Sequence, residues 1–487
     1  MDRTRAHAWS GACARTRVSL QETVTAITRQ SASRLLSGAA ILVALLAVMR
    51  WWWFVHAGSV NLLYMDQWDL YRAFFDDYSI VETYRLQHGP HRQGLAFLLV
   101  GWINRLSGWN TRIDGFVIGA FVCGAAALAW WVKVRLSGRV DRHDCVLAVL
   151  FLNPLQYGLF ANTPNLSHGA FPLFMVMLCC VCWTIKGEGL RWASVLACNF
   201  VLIFSGFGLF SGPVVIGLIG MELVARWRSE PNRWRAGMLV VLAVAAASLA
   251  VFFVGYTFEP AAPDFIFPVE QWWFQYPVFL LLMVTNLLGC GLGTPPFLLV
   301  LVGVPLVVLL AVVALQAAWR LLSSRLELPG VKLERSRAIV MLFLMAFTMA
   351  FCVNSAVGRI TLGFSAAVQS RYVSYLIPAL FALYLYVDAC GVRVRPTATT
   401  VFLLVMVLTS LRLPASHRTR MAHLVDGKQA WRAAYLETRS IAEANERTGF
   451  VAYPWPEHTR MAEKLAYMEA RGLNLFLEER RPPITDD

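Results

Sequence analysis

The chain has 487 residues, 57% of them hydrophobic and only 15% charged, against about 25% charged in ordinary soluble domains. That balance excludes a disordered chain and a disulfide-stapled secreted domain, and it leaves a water-soluble enzyme short of polar cover. The net charge of +13 does not point to nucleic acid: Lys and Arg fall in short clusters between apolar runs, as in the cytoplasmic loops of helical membrane proteins.

Residues 1–34 carry six Arg and read as a basic cytoplasmic segment. The apolar run after them has no small-residue cleavage site at its end, so it is expected to be a retained first span, about Leu35–Ala57. Further runs, among them Val117–Val132, Met238–Val254 and Phe297–Ala318, reach or approach the roughly 20 residues needed to cross about 30 Å of hydrocarbon. With the first helix running outward, the loops assigned to the cytoplasm hold 23 Lys and Arg and those assigned to the outer side hold 5, which orients the chain. That count leaves room for one crossing, Arg112–Val132, between residues 58 and 133. Gly94–Leu106 then becomes an interfacial or re-entrant helix on the outer side, and Pro277–Leu288 reads the same way.

The expected architecture is an all-α polytopic membrane protein of the inner (plasma) membrane, with about eleven spanning helices plus the two interfacial or re-entrant ones. Its membrane domain covers residues 35–413 with an outer loop at 58–111. Residues 414–487 read as a small helical region, with Lys428–Arg447 and Glu457–Arg471 as helices, Tyr453-Pro454-Trp455-Pro456 as the turn between them, and Gly472 as a stop. Span parity places this region outside, while Arg412, Arg418 and Arg420 pull inward. The ten cysteines lie mostly inside apolar runs and read as helix-packing residues.

Ionisable residues of a membrane chain gather where water or substrate reaches. Here they gather in the first outer loop: Met65-Asp66-Gln67-Trp68-Asp69, then Asp76-Asp77, then His88-Gly89-Pro90-His91-Arg92. A carboxylate here can serve an attacking hydroxyl or amine as base, and Arg or His can take up the charge of a departing phosphate; the alternative is a solvated interfacial loop with an aromatic belt. Asp69, one helical turn from Asp66, is the competing base. Asp76 and Asp77 read as solvated charge, because adjacent carboxylates point apart and no third ligand is evident; a divalent metal stays open. Asn162–His168 reads as a tight turn in which His168 is the residue able to meet a substrate. Glu259–Trp273 reads as interfacial, and Asp388 as a paired or snorkelling acid within a span.

The order of these pieces resembles the GT-C class of membrane glycosyltransferases: an outer-loop Asp soon after the first span, a His-Gly-Pro-His-Arg turn, then a short apolar helix ending at Gly108. Gly358-Arg359, Gly363, Ala366 and Ser370-Arg371-Tyr372 before Val373–Pro378 resemble the Arg-Tyr segment that opens a late span in that class. The chain departs from it where several branches have an acidic pair (here Asp66-Gln67) and where others have His-Pro-Pro (here His-Gly-Pro-His). The resemblance implies sugar transfer from a polyprenyl-phosphate carrier to a lipid or glycan acceptor, usually with inversion, on the non-cytoplasmic face. It implies Asp66 (or Asp69) as base and His88, His91, Arg92, Arg359, Arg371 and Tyr372 as substrate-binding groups. A transporter or flippase of a lipid-linked saccharide, and a non-catalytic scaffold, are the competing classes.

Overall fold

A computed structural model describes residues 35–160, 166–257, 273–323, 333–391, 394–411 and 413–477. The basic segment 1–34, the Asn162–Asn165 part of the turn and Glu259–Trp272 lie outside the described residues. The described chain is almost entirely helical, its strand content being a two-residue hairpin, Gln87–His88 against His91–Arg92.

Among the described residues, eight helices are long and apolar enough to cross a membrane: Leu35–Gly58, Thr111–Ser137, Leu166–Trp183, Gly206–Arg226, Asn232–Phe253, Pro296–Leu322, Arg335–Leu362 and Ser370–Ala389. Three further apolar stretches between the charged loops fold as shorter or broken helices. Cys145–Phe151 stops where Asn153 caps a 3-10 segment beginning at Pro154, because proline cannot continue the preceding helix. Glu188–Ile203 has 16 residues. Arg395–Leu411 has 17 and meets Ala415–Thr438 at 46°. At the two places expected to be interfacial or re-entrant, short helices form: Gly94–Ser107, closed by left-handed Gly108, and Gln275–Asn286.

Four acids near span ends, Asp144, Asp388, Glu222 and Asp114, are engaged. Lys133 Nζ lies 2.8 Å from Asp144, which also accepts from the Tyr384 hydroxyl at 2.6 Å. Asp388 pairs with Arg139 at 2.9 Å and Arg337 at 3.3 Å. Glu222 takes Arg335 at 2.8 Å and Arg226 at 3.2 Å. Buried ions of this kind need such partners, since a lone charge there is far costlier than a paired one. At the opposite end of Thr111–Ser137, the Tyr71 hydroxyl donates to Asp114 at 3.0 Å.

The first helix of the C-terminal region begins earlier than its sequence pattern implies, and the region divides differently. Ala415–Thr438 ends at left-handed Arg439, and Ser440 caps a separate helix, Ile441–Thr448. Met461–Arg471 then ends at Gly472 as expected. The region packs on the first outer loop, so the two share one side of the molecule. The clamp is Asn474, fully buried. Its backbone N–H donates to the Gly108 carbonyl at 2.9 Å, and its side-chain amide donates to Trp109 O at 2.7 Å and Asn61 Oδ1 at 3.0 Å. Its carbonyl accepts from Asn61 Nδ2 at 2.7 Å. Around it, Tyr64 stacks on Phe450, Phe75 meets Tyr467, and Lys464 donates to the Trp68 carbonyl.

Asn474→Ala removes two side-chain donors, strands buried acceptors and puts alanine at φ +50°. We expect it to lower the stability of the purified protein by about 2 kcal/mol or more, read as thermal denaturation in detergent. A reporter fused after residue 440 should reach the same compartment as one fused after residue 75; opposite compartments would exclude the docked tail.

Candidate active site

The loop that follows the first helix, residues 58–111, packs its aromatic residues into a core of its own. Trp68, Leu70, Tyr71 and Leu86 are buried, and Phe74 stacks on Phe97 of the short apolar helix. This leaves the polar residues at the rim. Asp66 starts the Gln67–Leu70 helix without using its side chain as a cap. Its carboxylate is 43% exposed and stands 3.9 Å from His88 Nε2. Asp69, one turn on, accepts from the Tyr453 hydroxyl at 2.7 Å, a donor supplied by the C-terminal region. Burial first, then Asp69 and Asp66, push the Tyr453 phenol well above its ordinary range, so it remains a donor.

The hairpin turn carries His88 to the rim and His91 into the interior. The His91 ring lies 4.1 Å from Phe207 and 5.3 Å from His168, centroid to centroid. Burial, followed by the positive fields of Arg359, His88 and Arg371, pushes His91 down to about 3, so it is a neutral imidazole at physiological pH. His168 is held at its ring and at its carbonyl. Gln93 Nε2 lies 2.9 Å from its Nε2, Ser167 donates to Gln93 Oε1 at 2.6 Å, and the Tyr375 hydroxyl donates to its carbonyl. With Gln93 Oε1 taken by the serine, the Gln93 amide nitrogen is the donor, which assigns the imidazole proton of His168 to Nδ1.

Two glycines make this close packing possible. A Cβ at Gly94 (φ +58°) would sit 2.5 Å from the Phe204 carbonyl oxygen, and one at Gly206 (φ +52°) would sit 2.5 Å from the Ser167 carbonyl oxygen. Both positions combine a left-handed backbone with no room for a side chain.

The late motif arrives at the same place. Arg359 ends the Arg335–Arg359 helix, and Arg371 sits in the 3-10 turn Ser370–Tyr372. Both are partly exposed, both act electrostatically on His91 and His168, and among the described residues neither forms an ion pair with an acid. Tyr372 is a buried ring against Phe351, with the Arg371 guanidinium over its face at 5.6 Å; it steadies the arginine from inside.

Arg92 has another occupation. Its guanidinium donates to the carbonyls of Phe252 at 2.8 Å, Val254 at 2.9 Å and Arg85 at 2.5 Å, and its residue is almost wholly buried. It pins the hairpin to the Asn232–Phe253 helix and does not join Arg359 and Arg371. Asp76 pairs with Arg460 at 2.9 Å. Among the described residues no group of three His, Cys, Asp or Glu is placed to hold a metal ion.

His88 thus links Asp66, 3.9 Å away, to the His91–His168 pair, on which Arg359 and Arg371 also act, with Gln93 holding His168 and Tyr453 holding Asp69. His168 had a sequence signal, a histidine in an outer turn. Tyr453 had none, lying 384 residues from Asp69. The assembly offers a half-exposed carboxylate beside an imidazole, and two guanidinium groups whose fields reach the buried imidazoles.

His91 titrates near 6.5 in an unfolded chain and near 3 in the folded one. The linked stability is complete above about pH 6.5 and is lost as pH falls toward 3, with a slope approaching 1.4 kcal/mol per pH unit. Denaturation midpoints at pH 7, 6, 5 and 4 should fall less steeply in His91→Gln than in the parent, and equal slopes would rule out a neutral buried His91.

Comparison of the chain with protein-family models, with curated proteins and with solved structures gives no match.

Proposed function

We propose that this protein is a membrane glycosyltransferase that moves a sugar from a polyprenyl-phosphate carrier to a lipid or glycan acceptor on the non-cytoplasmic face of the inner membrane. The finer topology belongs to the same reading: eleven crossings, with the N-terminus in the cytoplasm and the site outside. The observation that carries it is the meeting of two motifs about 270 residues apart in one electrostatic cluster. His88 faces Asp66 on one side and acts on the His91–His168 pair on the other, and the same pair feels Arg359 and Arg371.

The chemistry follows from that order. Asp66 takes the proton of the acceptor hydroxyl as its oxygen attacks the anomeric carbon. The bond from that carbon to the phosphate oxygen breaks, and the lipid phosphate leaves carrying the electron pair. Arg359 and Arg371 receive its charge with planar donor sets suited to phosphate oxygens. The neutral imidazoles behind them add no competing positive charge and provide donors to polar groups. Asp69 is held by Tyr453, which leaves Asp66 as the better placed base. A transporter reading needs intramembrane acids free to carry protons or ions, whereas Glu222, Asp388, Asp144 and Asp114 each have partners.

Native mass spectrometry of the purified protein should find a co-bound polyprenyl phosphate or its sugar conjugate. In proteoliposomes with that donor, Asp66→Asn should slow transfer by about 10²–10⁴-fold with little loss of expression. Arg371→Lys should raise the donor KM more than it lowers thermal stability, because lysine keeps the charge and loses the two-point grip. Undiminished transfer by an Asp66→Asn, Asp69→Asn double variant would eliminate carboxylate-base catalysis in this loop.

A further inference from the structure

Trp455 is unusual on the docked tail. Its neighbours Tyr453 and Phe450 are buried against the first loop, while Trp455 is 66% exposed. It is not a loose side chain on a loose turn. Pro454 and Pro456 fix φ on either side of it. The Pro456 carbonyl accepts from Met461 N at 2.9 Å and Thr459 Oγ1 at 3.3 Å. The turn is also keyed to the acid-bearing loop, since Met65 N donates to the Ala452 carbonyl at 2.9 Å and Tyr453 donates to Asp69 at 2.7 Å. The indole meets the Tyr453 ring edge-on, with centroids 6.1 Å apart.

An exposed indole on a turn tied to a carboxylate through Tyr453 has a specific chemical complement. A pyranose ring has an apolar face of C–H bonds, which covers an aromatic ring, and a rim of hydroxyls, which donate to acceptor-only carboxylates. A large, stiff aromatic side chain supplies that contact with little ordering cost. A lipid surface is the poorer fit. The Tyr453 phenol in contact with the indole is hydrogen-bonded to Asp69 and lies in the field of Asp66, where an anionic headgroup layer would favour Lys and Arg.

We propose that Trp455, together with Asp69 and Asp66 on the adjoining loop, forms a subsite for a saccharide ring of the acceptor. The word acceptor rests on the transferase reading; the saccharide contact stands independently of it. The full chain in nanodiscs is to be mixed with α-1,6-mannotetraose, β-1,4-glucotetraose and β-1,6-galactotetraose, with saturation-transfer difference NMR as the readout. At least one probe should receive magnetisation through its ring C–H protons, and Trp455→Ala should weaken that binding by about tenfold or more, a usual scale for losing a central aromatic contact. No binding of any probe, or equal binding by parent and Trp455→Ala, would overturn the subsite.

Two further measurements separate this idea from the one it builds on. With transfer established, Trp455→Ala should raise the acceptor KM and leave the donor KM unchanged; an unchanged acceptor KM overturns the subsite and leaves the transferase standing. If no transfer is found, persistent Trp455-dependent saccharide binding supports the subsite by itself. In nanodiscs of brominated lipid, parent and Trp455→Phe should be quenched alike; weaker quenching of the variant would place the indole in lipid and overturn the proposal.

Discussion

The buried amide pair Asn61–Asn474 is the constraint on which the outer half of the molecule depends. Asn61 Oδ1 also accepts from Thr111 N at 3.1 Å, and the Thr111 hydroxyl accepts from Leu62 N at 3.1 Å. Three chain segments thus meet at one polar node: the exit from the first helix, the start of the Thr111–Ser137 helix and the far end of the tail. Polar groups this buried are costly unless satisfied, so the node tolerates few geometries. The acid-bearing loop is strung between two of its anchors. Its ends are fixed, and its aromatic core fixes the middle.

On that platform the site separates its charges by depth. The carboxylates of Asp66 and Asp69 stay at the rim, partly exposed. The imidazole of His91 sits inside and stays neutral because burial and two nearby guanidinium groups oppose its protonation. Arg92, from the same hairpin, spends its donors on backbone carbonyls. One turn of five residues therefore yields a rim group, a buried neutral ring and a structural clamp. Side-chain direction in the hairpin, more than residue type, divides these roles.

Much of this was legible in the sequence, and the failures have physical causes. The long apolar helices followed from hydropathy and length. The engagement of Arg92 with three backbone carbonyls was not legible, because a sequence shows a cation but not the carbonyls that surround it. The break at Arg439–Ser440 was hidden because Lys428–Arg447 is helix-favouring throughout, and only a left-handed residue followed by a serine cap divides it. The side taken by the tail was ambiguous because arginines near Leu413 oppose span parity. Tertiary contacts resolve it: the tail is held by Asn61, Gly108 and Trp109, none of which carries a charge that a loop count can register.

The spacing of the clamp in the chain has a temporal consequence. Asn61 emerges early in synthesis, and Asn474 only after every intervening apolar helix has been made and the tail delivered to the side where the first loop waits. Until then Asn61 lacks two of its hydrogen-bond partners, Asp69 lacks its phenol, and the loop is held only by its own aromatic core. A late segment of the chain completes an early one.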